Sequence, residues 1–593
     1  MKSKKLFITA FATLMAMVIT SCTNDMGNGD NPNSGITDIA ELEGCWYNDV
    51  TGMTSAMWTY GECTQVTAFN SDGTGLIDVY YNRDEQPVAR EHHAFTYTAQ
   101  TDGTLTMELD SDKAEPATKW MIKGGKLTLA DEEGVSMTYT KANADMEAKI
   151  KSWGEKELIE VPKPARYTVF IFGNASGALD PVIEHYVWGY MQQLEIDPQD
   201  VRVVCLYKYG NETAGKYGKS GDIKWFELNN KTDLNNLTDE HGLLKLLGDD
   251  TKAVKLCDPN NLLTFFEYSS LLCPAEDYIL TCWGHGIGFD PLDNDVPGKY
   301  VIKGTSTRGM MSDEWNDYES VDMYELADAI KATRPDNKGR FNTIFFHNCL
   351  MGNMEWLTEL RDAADYFVAE AHMLFSDGII IPKLVWALQK TENTEDAMKL
   401  LFEISKGDFT EDTIPAEEGH YPSNADIKMI RSEAIDDIIE PTKRLAERLV
   451  ELYPTKQEAI DNATKNVYRF YTGFEDPDDS WYAPFFDLAD YAHKLAEETG
   501  DEEMTAIAKD IDIAFENAFV HYFDVNLGGQ HLDHYTLSVM LYSDFDYNYL
   551  WSDGTVIGDN YEMSSFHKLT GWGYWLKINQ QPLYYNPTSG SAK

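Results

Sequence analysis

Positive charge is what this chain has least of. Its 49 Lys and Arg stand against 98 Asp and Glu, a formal charge of −49 over 593 residues. Such a surface repels phosphate backbones and anionic headgroups, which excludes nucleic acid as a partner. Beyond the N-terminal segment no apolar run is long enough to span a bilayer. There is no CxxC pair and no HExxH, so the usual frames for zinc are missing. No repeat of about 20–50 residues recurs, which excludes a solenoid. Cysteines are few, eight in all. What is present, 43% hydrophobic and 12% aromatic residues, suffices for packed cores, and the length predicts two or three domains.

The chain opens on an address. MKSKK is basic, LFITAFATLMAMVIT is apolar, and Ile19-Thr20-Ser21-Cys22 closes the run. The segment resembles a bacterial lipobox, which implies a signal peptide over 1–21, cleavage before Cys22 and lipidation of that cysteine. The mature protein is then expected in the bacterial cell envelope, periplasmic or at the cell surface, touching membrane through its lipid only. Residues 22–38, rich in Asn, Gly, Asp and Pro, predict a flexible tether.

Residues 39–143 alternate in short strand-like runs divided by turns such as Asn70-Ser71-Asp72-Gly73 and Thr101-Asp102-Gly103. They predict a small antiparallel β-barrel or sandwich. ELEGCWYND followed by FNSDGTG resembles the opening of lipocalin-like domains of bacterial lipoproteins. Two readings stay open, a ligand cup and a spacer filled by its own side chains. Cys45 and Cys63 lie in this domain, and their pairing is likewise open. Cys205, Cys257, Cys273 and Cys282 read as buried structural thiols.

From 144 to 593 the texture changes. Apolar runs at 167–173, 201–207, 278–283, 341–347 and 366–371 alternate with amphipathic segments at 180–195, 262–272, 323–333 and 353–364. This predicts an α/β fold, a mostly parallel sheet flanked by helices, with the chemistry outside the carboxyl ends of its strands. Residues 380–530 read as mainly helical and acidic additions.

YILTCWGHGIGF puts His285 just past one strand, and FNTIFFHNCLMGNMEW puts Cys349 just past the next. An imidazole and a thiol at one sheet edge suit nucleophilic acyl transfer: the thiolate attacks and the imidazole protonates the departing amine. The backbone N–H of Gly286, with that of Cys349, offers an oxyanion hole. Helix N–H groups behind Cys349 are expected to favour its thiolate.

These motifs resemble the clostripain-like cysteine peptidases of the caspase-like superfamily. WGHGIGF is similar to their His-Gly segment, and NCLMGNMEW to their nucleophile segment with its following glutamate. YTVFIFGNASGALD, CDPNNLLTFFEYSSLLCPAEDYIL, ESVDMYELADAIK, YFVAEA, HYTLSVMLY and SSFHKLTGWGYWL extend the likeness over roughly 150–580. The resemblance implies a caspase-like fold and a Cys-His dyad endopeptidase acting on peptides or proteins, with His285 as acid/base and Cys349 as nucleophile. It departs at one point. Where the family has an aspartate that helps bind a basic P1 side chain, this chain has His347, so strict basic specificity is not expected. Glu370 and Asp377 are the candidates to restore negative charge to that pocket. No cofactor is required for the chemistry. Calcium and maturation cleavage, known in the family, are left open: Asp290, Asp293 and Asp295 offer oxygen ligands, and Lys299, Lys303 and Arg308 offer nicking sites. The competing reading is a catalytically silent peptidase fold that binds a partner at the cell surface.

Overall fold

The computed structural model describes residues 38–579 apart from 56–57, 84, 110–112, 115–117, 131–135, 175–178, 211–214, 238, 240–241, 291–307, 314, 317–318, 334–338, 373–380, 406–423, 469, 471–484, 527–535 and 542–560. The signal peptide, Cys22 and the tether therefore lie outside the described residues. The chain forms two compact units, one holding the chain up to Pro164 and the other most of the chain from Ala165.

The first unit is a barrel of strands β1 (Gly44–Ser55), β2 (Trp58–Phe69), β3 (Thr74–Arg83), β4 (Gln86–Ala99), β5 (Thr104–Leu109), β7 (Thr118–Lys123), β8 (Lys126–Ala130) and β9 (Ser136–Lys141), with the two-residue strands β6 (Lys113–Ala114) and β10 (Ile159–Glu160) appended. Pairing of β9 with β1 and of β4 with β5 closes the ring, so the barrel rather than the sandwich is realised. All eight ring pairings are antiparallel. The expected turns form for a local reason: Asp72 and Asp102 each accept the N–H two residues on, from Thr74 and Thr104. Alternation sets the faces. Ile77, Val79 and Tyr81 of β3 point inward. Tyr80 points outward, where Trp153 and Leu158 cover it from the helix Ala144–Gly154 and its sequel. Alternation also decides the cysteines. Cys45 packs in the outer cluster, whereas Cys63 pairs in register with Tyr81 on the inner face, so the two thiols stand on opposite sides of the wall and both are free.

The second unit is built on an eight-stranded sheet in the order β13 (Ile223–Glu227), β12 (Val201–Lys208), β11 (Ala165–Asn174), β14 (Ala275–Trp283), β18 (Phe341–His347), β19 (Ala364–Glu370), β20 (Asn424–Arg431) and β22 (Phe519–Asn526). A small sheet of β15 (Gly286–Asp290), β16 (Arg308–Asp313) and β17 (Glu319–Val321), and a pair of β21 (Phe485–Asp487) and β23 (Ser538–Met540), complete the strands. The five strands read from sequence, β11, β12, β14, β18 and β19, are the parallel ones. The sheet as a whole is only partly parallel, because β13, β20 and β22 join antiparallel. Helices at Pro259–Leu272, Met323–Lys331 and Met354–Leu360 fall where amphipathic spacing predicts them, and residues 179–189 form a helical turn that continues as a π-helix. The region 380–530 holds the expected helices, such as Ile381–Lys390 and Ile435–Asn466, but also β20, β21 and β22, so it is not helical throughout. Among the described residues no helix is long and apolar enough to cross a membrane.

Candidate active site

β14 and β18 run parallel and in register, with Trp283 opposite His347. His285 and Cys349 each lie two residues further on, so imidazole and thiol leave one sheet edge from strands about 4.8 Å apart. His285 is exposed and Cys349 half-buried. Gly286 is pressed onto the Cys349 backbone: a Cβ there would lie 2.4 Å from Cys349 O, 2.7 Å from Asn348 Cβ and 3.1 Å from Cys349 N. Only glycine permits this approach, which brings together the two residues whose N–H groups were assigned to the oxyanion.

The histidine loop is held from three sides. Gly284 adopts φ +143°, and a Cβ on it would meet Asn174 O at 2.6 Å. Asn348 Nδ2 donates to Gly284 O at 2.8 Å, and Met311 N donates to His285 O at 2.8 Å. Met311 belongs to β16, which is anchored in turn by a buried ion pair. Lys208 Nζ, at the end of β12, donates to Asp313 Oδ2 and Val254 O, both at 2.7 Å, and to Lys252 O at 3.0 Å. Burial pushes the Lys208 ammonium's pKa down, opposed by Asp313.

The cysteine loop differs from expectation in one respect. The helix begins only at Met354, and the side chain of its N-cap, Asn353, already accepts the Trp356 N–H. Cys349 thus stands five residues before the helix, outside its first turn rather than at a direct strand-to-helix junction. Instead the loop turns through Leu350 at φ 61° and is fastened to the end of β19 by Leu350 N to His372 O, 2.8 Å, and Gly352 N to Glu370 O, 2.7 Å.

His347 is buried and stacks on Trp283, ring centroids 4.2 Å apart at 23°. Glu370, also buried, ends the neighbouring strand; with Phe345 paired to Val368, His347 and Glu370 share a face of the sheet. Asp377 lies outside the described residues, as do Lys299 and Lys303. Arg308 opens β16, paired in register with Asp290. Asp293 and Asp295 are likewise outside, and among the described residues no group of three or more His, Cys, Asp or Glu side chains is arranged to hold a metal ion. Sequence reasoning missed Asn348, although it stands between two flagged residues. It also missed His372, whose Nε2 meets Tyr468 Oη at 3.0 Å beside Phe470. Tyr468 and Cys349 pack on a cluster of Leu350, Ala371, Phe470 and Phe485, and nothing local in the sequence around Tyr468 points to it.

Distant segments complete the cysteine loop. Glu355 Oε1 accepts Tyr561 Oη at 2.6 Å and Met540 N at 3.1 Å, Ser538 N donates to Gly352 O at 2.8 Å, and Trp572 Nε1 donates to Met540 O at 2.7 Å. Asp487 accepts Thr536 Oγ1 at 2.7 Å and Asp490 N at 2.9 Å. Burial pushes both carboxyls up to about 7, against the hydrogen bonds they accept.

Residues 227–523 match the model of the clostripain family, Peptidase C11, and so half of the chain. Among solved structures the chain is similar to a secreted C11 cysteine protease from Bacteroides thetaiotaomicron in complex with an irreversible peptide inhibitor, at 14% identity over 69% of this chain and 99% of that one, TM-score 0.44. It is also similar to an inactive zymogen C11 protease from Parabacteroides distasonis, at 14% identity over 69% and 99%, TM-score 0.42. No curated protein matches the sequence.

Proposed function

The chain belongs to the clostripain family, and on that premise we propose that it is a cysteine endopeptidase of the bacterial cell envelope, tethered by a lipid on Cys22. The Cys349 thiolate adds to the scissile carbonyl of a peptide or protein, the N–H groups of Gly286 and Cys349 receive the oxyanion, and His285 protonates the departing amine. Water, deprotonated by His285, then adds to the acyl–Cys349 thioester and releases the acid and the thiol. One observation carries this reading: the β14–β18 register that sets His285 and Cys349 at equal steps past Trp283 and His347, with Gly286 against the Cys349 backbone.

For specificity, the stacking of His347 on Trp283 supports a P1 pocket that does not demand Lys or Arg, and Glu370 on the same face supports some residual attraction for them. The test is a P1-diverse peptide library, with and without calcium, beside Cys349→Ala. Cleavage by the parent, lost in the variant and not confined to basic P1 residues, is expected. Iodoacetamide should label Cys349 ahead of Cys45, the other half-buried thiol among the described residues, which burial and the neighbouring Glu147 and Asp78 push up to about 11. No cleavage even after limited nicking, with no preferential labelling, would overturn the peptidase in favour of a silent binding protein.

A further inference from the structure

The last two helices present a face unlike the rest of the chain. The sequence holds 98 Asp and Glu in 593 residues, yet none from Met563 to Lys593, a stretch that carries Lys568, Lys577 and Lys593. Among the described residues eight large apolar side chains are exposed, and four of them, Met563, Leu569, Tyr574 and Ile578, fall in this stretch. Residues 563–578 have six exposed positions in all: these four, Lys568 and Lys577. Their outward surface is therefore apolar or cationic throughout, on a chain of formal charge −49. Apolar side chains scattered singly over a surface are ordinary, but a group of four rimmed by lysine marks an interaction site.

Local structure explains how the six come to face out. The helices Ser565–Thr570 and Trp572–Ile578 bury Phe566, Trp572, Trp575 and Leu576, and the Trp575 ring meets Tyr453 edge-on, centroids 5.4 Å apart. The Ser564 hydroxyl caps the first helix by accepting the His567 N–H at 3.1 Å, and Gly571 at φ +72° ends it. Gly573 N then donates to His567 Nδ1 at 3.0 Å, tying the second helix to the first. With the inward positions taken, Tyr574 and Ile578 stand one turn apart on the outer face of the second helix. The Tyr574 ring lies against His567, centroids 4.9 Å apart, which brings it to the helix that exposes Lys568 and Leu569. Lys568 Nζ donates to Met563 O, so its stem runs back beside Met563.

We infer that this face is a membrane contact in addition to the lipid, and that it lays the body of the protein on a bilayer surface. Met563, Leu569, Tyr574 and Ile578 enter the interfacial zone, while Lys568 and Lys577 meet phosphate headgroups. The inference rests on the proposed envelope tether for bringing the face near a bilayer. Tyrosine suits that zone, its ring among the acyl chains and its hydroxyl among the headgroups, and lysine keeps its ammonium in water along an apolar stem. Helices of six and seven residues are far too short to span, so the contact lies on the surface. The acidity of the whole chain does not forbid it. At about 0.15 M salt the screening length is about 8 Å, so a headgroup at this face feels the two lysines and little of more distant carboxylates. A second copy fits less well: a two-fold contact through this face would set four lysines together with no exposed carboxylate from residues 563–578 to pair them.

The test uses the mature chain from Cys22, made without its signal segment and so without lipid, sedimented with vesicles of phosphatidylcholine alone or with about one third phosphatidylglycerol at about 0.15 M salt. The unacylated chain should partition onto both, more strongly onto the anionic vesicles. Tyr574→Ser with Ile578→Ser should weaken binding to both about ten-fold or more. Lys568→Gln with Lys577→Gln should cost about ten-fold on the anionic vesicles and little on the others. Tyr522→Ser is the control, since Tyr522 on β22 is as exposed as Tyr574, 60% against 59%, and it should change nothing. All these side chains are exposed, and equal melting temperatures will show that the variants fold. No partitioning by the parent, or equal partitioning by the parent and the Tyr574→Ser, Ile578→Ser variant, would overturn the inference. So would a dimer in sedimentation equilibrium that this variant dissolves, which would give the face to a second copy. Acylation is read separately, by palmitate labelling of Cys22 in cells; its absence would remove the tether and leave the vesicle result to decide the face.

Discussion

Replacing Gly286 by alanine tests the proposed site at its tightest point. The added Cβ would meet Cys349 O at 2.4 Å, where ordinary contact begins near 3.4 Å, and the obstacle is backbone rather than the end of a flexible side chain. Relief therefore requires the histidine loop and the cysteine loop to part by about 1 Å, and a misplacement of that size costs about 100-fold in rate. That is about 2.7 kcal/mol of transition-state stabilisation. Overpacking should also cost about 1–3 kcal/mol of stability. The assay is kcat/KM on the best library peptide, with Gly154→Ala as the control, since its nearest neighbours are 3.9 Å away. Gly286→Ala is expected to lose about 100-fold and Gly154→Ala almost nothing. A Gly286→Ala enzyme within three-fold of the parent would refute the close approach, and with it the oxyanion assignment.

Asn348→Leu removes the amide that holds Gly284 O and should lower kcat about ten-fold with little change in KM, checked by steady-state kinetics. Lys208→Met leaves Asp313 charged and buried without its ion-pair partner and should cost about 3–5 kcal/mol in urea unfolding; a loss below about 1 kcal/mol would show that the pair does not anchor β16. Glu355 and Asp487 hold their protons more tightly folded than unfolded, since burial lifts them to about 7 from ordinary values of 4.5 and 3.8. Their contribution to stability is thus complete below about pH 4 and is lost as pH rises through about 7. Melting temperature should fall across that window in the parent and less steeply in Glu355→Gln and Asp487→Asn; parallel curves would exclude the effect.

How much was legible follows from where each residue's partners lie. The five parallel strands are continuous apolar runs such as YTVFIFG and NTIFF, because both of their faces are covered, and such runs announce themselves. NADIKMIR and FVHYFDVN mix charged residues into their runs, β22 as an edge strand, and they pair only with strands far away in sequence, so local pattern concealed them. His285, Cys349 and Gly286 stood out through their motifs, and the strand register sets them at one end of the sheet. The late start of the following helix was not legible, because a left-handed Leu350 and an Asn353 cap delay it by several residues. Nor was the burial of His347 against Trp283, which depends on two strands being exact neighbours. Barrel closure rests on the β4–β5 and β9–β1 pairings, of which the second joins residues some ninety positions apart.

The clasp on the cysteine loop has a consequence for when the enzyme comes into being. Glu355 waits for Tyr561, 206 residues downstream, and Gly352 for Ser538. Synthesis delivers the chain from its N-terminus, so His285 and Cys349 both emerge before the residues that finish the loop around Cys349. A chain that stops short of Tyr561 carries His285 and Cys349 with the cysteine loop unfinished. The last stretch to be made thus acts as a timer: the loop around Cys349 is not fastened until Tyr561 has arrived.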